Sequence, residues 1–420
     1  MITRRPPRAT PVTAPLALTT VLLALLGMFG PFSIDAAFPA FQEMGEDFAA
    51  SEASMQLVVS AYLGAFAVMS LFHGPLSDAV GRKPVMVTGA AVYALASIGC
   101  ALSPSLPVLL AFRVLQGMSA GAGTIVSRTV VRDLFEGARA QRLMATIAMI
   151  FGISPALAPI IGGWLLLSGP WPLVFWFLCG FGAFIAIAVL VLLPESHPPE
   201  RRTPVDVRSI LGGVMAVARM RRFQVLSAAS AFSFAGQFLY IGAAPIFVVS
   251  LLGKGAQDFW VFFVPMVSGM ILGSFTNSRL AGRVSGDRLI VSGQAVALTG
   301  AIVGLGLALL PATAELPWAV VGPTAIAFGT GISLPVYQLA LLDAVPHARG
   351  TAASVSTFVM LLLNATLTAV VVPIAATSLA GLAATSLGLL ALGIALFHLY
   401  RRSARPPRTV PVQPLVPEVT

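Results

Sequence analysis

Twelve apolar runs alternate with polar intervals along the chain, at residues 15–38, 54–73, 85–102, 106–127, 142–166, 172–194, 223–249, 258–277, 289–310, 316–340, 350–374 and 378–400. Each approaches the about 20 residues that a helix rising about 1.5 Å per residue needs to cross a hydrocarbon layer of about 30 Å. Most intervals are short, but 195–222 is long, charged and proline-bearing. The pattern predicts an all-α membrane protein with twelve transmembrane helices in two pseudo-symmetric six-helix bundles. Its expected parts are a cytoplasmic N-terminal tail (1–13), a first bundle (14–194), a cytoplasmic linker (195–222), a second bundle (223–400) and a cytoplasmic C-terminal tail (401–420). The first run is too long for a signal-peptide core and reads as a retained span. Asp133 to Arg139 and Asp343 to Arg349 both run from Asp to Ala-Arg, and 343 − 133 = 210 residues is half the chain. Such an echo suggests a parallel internal repeat.

Composition and charge narrow the function. The chain is 57% hydrophobic and 10% charged, against about 25% charged in soluble domains, so much of its surface faces lipid. A net charge of +9 could suggest nucleic acid, but 23 of the 25 Lys and Arg, all except Arg113 and Lys254, lie in the tails or in alternate intervals. The remaining intervals carry Glu43, Glu46, Asp47, Glu52, Asp258 and Glu315. This asymmetry places both termini in the cytoplasm of a multi-pass inner-membrane protein and gives the basic excess to lipid headgroups. The two cysteines, Cys100 and Cys179, fall inside spans; neither a disulfide scaffold nor a metal site is expected. No nucleophile elbow, phosphate-binding loop or paired histidine occurs, so no enzyme and no cofactor is expected. An ion gradient is left as the energy source.

Few polar side chains lie at depth. Asp35 is the only acid placed inside a span and Arg113 the only base. A charge at the bilayer centre costs about 2.5–3.5 kcal/mol on insertion scales, so each should face the bundle interior. They lie at similar depths near the acidic ends of their spans and are expected to pair or share a polar cavity. The alternatives are that Asp35 caps a helix end and that Arg113 anchors backbone carbonyls. Gln116 follows Arg113 on the same helix face. Tyr62 either bonds into a cavity or joins the aromatic belt. In the second half, Phe234, Gln237, Phe238, Tyr240 and Asn364 are candidates for a greasy substrate wall with polar handles. Pro155, Pro159, Gly162 and Gly163 give the fifth span a kinked, closely packed stretch. Asp35 is the candidate proton carrier, since burial and a neighbouring guanidinium act oppositely on a carboxyl group's proton affinity.

The interval Gly74 to Pro84 reads GPLSDAVGRKP, a polar turn between the second and third spans. Gly74, Leu76, Asp78, Gly81, Arg82 and Lys83 match the G-x-L-x-D-x-x-G-R-[KR] signature, and here the chain resembles the major facilitator superfamily. Arg113, Gln116 and Gly117 match its recurring R-x-x-Q-G. The stretch from Pro159 to Gly163 resembles the antiporter motif G-P-x-x-G-G, with Ala158 in place of the first glycine. Together with FSIDAAFPA, VRDLFE and RGTAASV, these look like the Bcr/CflA-type drug/proton antiporters. The resemblance implies proton-coupled efflux of amphipathic compounds, and a monomer is expected. It also implies a cytoplasmic gate in which Asp78 and Arg82 lock the two halves together on the inner side. Gly27 and Pro31 stand where related exporters often carry a second acid, which disfavours multi-proton coupling. The alternative function is proton-coupled uptake of a small metabolite on the same fold, and a second is a non-transporting membrane receptor or scaffold.

Overall fold

The computed structural model describes residues 16–135 and 137–403. Among these, the elements are helices, and no β-strand forms beyond one isolated bridge between Ala281 and Val284. Eleven helices are long and apolar enough to cross a membrane. A twelfth, Gly137–Leu165, fills the place of the fifth span, and its described apolar part is Gly152–Leu165. Their outer surfaces are apolar: Leu95, Phe184, Val191, Leu272, Ile302 and Ile374 are all exposed. In water that surface would be unfavourable; against acyl chains it is neutral.

Helix packing carries the pseudo-symmetry. In the first half, span one packs on span five, two on four, and three on four and six. In the second half, eight packs on ten, and nine on ten and twelve, as the shift by six predicts. Contacts between the halves run from span two to eleven and from span five to eight. Those two pairs exchange under the same shift. The linker holds a helix, Val207–Ala218, capped by the Asp206 carboxylate accepting from the Arg208 N–H at 3.0 Å. Its Val207, Leu211 and Met215 are exposed at four-residue spacing, an apolar stripe suited to the membrane surface.

Two expectations are corrected. Gly74 to Pro84 is not an open turn. A helix, His73–Val80, and the next, Arg82–Ala101, meet at Gly81 alone. Pro75 and Pro84 each sit in a first helical turn, where the missing N–H has no partner to lose. Pro155 and Pro159 lie inside the helix Gly137–Leu165. Span one does not finish near residue 38. Its first helix, Leu16–Asp35, is followed by a short 3-10 turn, Phe38–Ala40, and a second helix, Phe41–Asp47. Asp35 therefore sits at an interior break, 47 − 35 = 12 residues before the acidic end of the span.

Candidate functional site

That break explains how Asp35 is presented. Pro39 has no N–H to return to the Asp35 carbonyl four residues earlier. The Ala37 N–H bonds the Ile34 carbonyl at 3.3 Å, and so the carbonyl of Ser33 is left without its usual helical partner. Arg113 takes it, donating from Nη1 at 3.3 Å. The same guanidinium donates from Nε to the Val58 carbonyl at 3.0 Å and from Nη1 to Gln116 Oε1 at 2.8 Å. Its carbon lies 4.5 Å from the centroid of the Tyr62 ring, a cation–π contact. Gln116 Nε2 donates onward to Ser97 Oγ at 2.7 Å, and the Tyr62 hydroxyl donates to the Gly30 carbonyl at 3.1 Å. One buried network thus ties spans one to four.

Asp35 is 3% exposed and Arg113 fully buried. They do not pair: of the four ion pairs among the described residues, none includes either. The expected bridge is replaced by bonds to backbone carbonyls, which the helix break supplies. Arg113 Nη2 is left buried without a partner. A buried donor in that state costs about 1–3 kcal/mol, more for a charged group.

In the second half, two of the expected handles carry unsatisfied groups. Gln237 and Asn364 are each 2% exposed. Gln237 Oε1 and Asn364 Oδ1 have no partner, and Gln237 Nε2 finds only the sulfur of Met270, at 3.9 Å. Both lie at about 24 Å along their helices from the basic end, at about 1.5 Å per residue. Phe234 and Phe238 stand beside Gln237 with ring centroids 6.0 Å apart. Tyr240 is separate. It packs on Phe247 at 5.7 Å and lines a small void with Gly304, Ala308 and Leu379, inside the second half.

The fifth span binds these regions together. A side chain at Gly162 would collide with the Ala36 carbonyl, next to Asp35. One at Gly163 would collide with the Ala256 carbonyl of the second half, and Gln257 Nε2 donates to the Gly163 carbonyl at 3.5 Å. These adjacent glycines admit the Asp35 segment on one side and the other bundle on the other.

At the basic end, Arg82 is the hub. It contacts Asp78 at 2.5 Å, Asp133 at 3.1 Å and Ser77 Oγ at 2.6 Å. Two partners were not legible in the motif. Glu195 accepts from the backbone N–H of Arg82 at 3.0 Å and of Lys83 at 3.2 Å, an acid placed on a helix N-terminus from the linker. Gly81 turns there with φ of +112°, a conformation that favours glycine. Ser196 donates to Asp133 at 3.1 Å, and the Thr203 N–H to the Asp78 carbonyl at 3.3 Å. These partners of Arg82 and Asp78 lie in the first half and the linker, so the cluster braces one half and its strap; the expected lock between halves is not formed by these contacts. Gly74 has open space around it.

Comparison with known proteins bears on most of the chain. The model of the Major Facilitator Superfamily matches residues 23–368. A bicyclomycin resistance protein homolog of Haemophilus influenzae is 30% identical over 268 residues, 64% of this chain and 67% of that protein. Multidrug resistance protein D of Escherichia coli is 27% identical over 338 residues, 79% of this chain and 82% of that one. Among solved structures, a D-xylose-proton symporter superposes with a TM-score of 0.71 at 14% identity, covering 92% of this chain and 97% of that one. The human organic anion transporter MFSD10 gives 0.67 at 19% identity, over 92% and 100%.

Proposed function

The chain belongs to the Major Facilitator Superfamily and is a membrane transporter rather than an enzyme, and from that premise we propose that it exports amphipathic drugs or small toxic compounds in exchange for protons. Asp35 carries the proton. The observation behind this reading is the buried, unpaired Asp35 carboxyl on a helix break whose freed carbonyl holds Arg113, with Arg113 Nη2 still to spare. Substrate and proton compete for this chamber, while Gln237 and Asn364 offer polar handles from the opposite bundle. The two bundles, 14–194 and 223–400, rock about the chamber by alternating access, with both termini in the cytoplasm as the basic residues favour. Gly27 and Pro31 supply no second acid, which disfavours multi-proton coupling. The driving force is about 2.3 kcal/mol per charge per 100 mV, plus about 1.4 kcal/mol per pH unit.

The test is a drug-susceptibility panel on cells overexpressing the protein, with intracellular accumulation of each compound measured alongside. Export predicts raised resistance and lowered accumulation for amphipathic compounds, both lost when the proton gradient is collapsed. Raised accumulation would indicate uptake instead.

The basic-end cluster braces the first half against its linker, and the transport cycle strains and restores this brace. The side chain of Asp78 is 46% exposed, which limits its ion pair with Arg82 to about 1 kcal/mol. Asp78→Asn is therefore expected to lower turnover about fivefold, with substrate affinity unchanged. Equal losses of turnover and binding would point to misfolding.

A further inference from the structure

A second pocket lies at the acidic end, where the two halves meet. Its volume is about 400 Å³, and its walls include Phe38, Phe41, Glu46, Glu52, Gln56 and Ser250. Among the described residues none of its lining side chains is basic. Phe38, three residues beyond Asp35 in the chain, ties this wall to the Asp35 segment. Gln56 is 1% exposed, and its Oε1 is buried with no hydrogen-bond partner. Glu46 accepts only a bond from neighbouring Gln42, at 3.2 Å. Glu52 accepts from Ser250 Oγ at 2.6 Å, a link from the first half to the second.

These groups ask for one kind of ligand. Two carboxylates and an unsatisfied amide oxygen are acceptors, so the complement is positive and carries N–H donors. Phe38 and Phe41, both largely buried, give the pocket an apolar wall. The volume suits a small organic molecule. We propose that this pocket binds aromatic organic cations bearing amino groups, as a release station outside the Asp35 chamber. The ligand's ammonium or amino group displaces Ser250 from Glu52 and so loosens one link between the halves. Its role in release rests on the export reading; its binding does not.

Equilibrium binding to the purified full-length protein separates the two. The probes are ethidium, an aromatic cation with amino groups, and its uncharged dihydro form, kept reduced under nitrogen. Wild type is expected to bind ethidium saturably and more weakly as salt is raised. The Glu46→Gln/Glu52→Gln double variant should bind ethidium about tenfold more weakly, having lost two solvent-screened attractions, with affinity for the dihydro form unchanged. Ser250→Ala, which frees Glu52, should bind ethidium at least as tightly as wild type. Wild-type ethidium affinity in the double variant, equal loss of both probes, or no ethidium binding by wild type would overturn the proposal. Failure of proton-coupled export with ethidium binding intact would overturn only the export reading.

Discussion

Alanine at Arg113 is expected to abolish transport and to destabilise the first bundle. The guanidinium bonds Val58, Ser33 and Gln116 and lies over Tyr62. Its removal takes a donor from the Ser33 and Val58 carbonyls, leaves Gln116 Oε1 with only the Cys100 thiol at 3.7 Å, and opens a cavity beside them. Breaking a buried charged network of this kind costs about 3–5 kcal/mol. Arg113→Lys keeps the charge but replaces a planar fork with a single ammonium; it should fold better than alanine and still transport poorly. Thermal unfolding of the purified variants, together with efflux at matched membrane levels, checks both statements. Wild-type efflux by the alanine variant would show that the network serves packing elsewhere.

The second large effect belongs to Asp35. Asparagine has nearly the shape of aspartate but no proton to give up near neutral pH. Because no ion pair holds Asp35, the change breaks no bridge and should leave the fold and the amount of protein in the membrane unchanged. Resistance should nevertheless fall to that of cells lacking the protein. Asp35→Glu retains the acid on a longer stem and should keep partial resistance. Susceptibility at matched expression is the measurement.

The spans were legible because membrane thickness sets a length scale that the apolar runs reproduce. The depth of Asp35 was not legible. The segment after Pro39 carries Glu43, Glu46 and Asp47 and reads as a loop, yet Phe41 and Met44 are buried on one side of a short helix. Seven residues are too few for periodicity to show that. The failed pairing of Asp35 with Arg113 has a similar origin. Two lone opposite charges invite pairing, but a freed carbonyl arises only from how the chain breaks at Asp35. Tyr240 departs from Gln237 for reasons of tertiary packing, since three residues on a helix leave both near one face. Glu195 reaches Arg82 across 113 positions of sequence, and no local motif encodes that contact.

Proton movement in proteoliposomes tests the shared chamber most directly. The compound given the largest resistance shift in the panel is added to vesicles holding a pH-sensitive dye and wild-type protein or Asp35→Asn. Wild type is predicted to move protons against the substrate, with a rate that saturates as substrate rises, and the asparagine variant to move none. Substrate-driven proton flux through Asp35→Asn at the wild-type rate would contradict the assignment of the proton to that carboxyl.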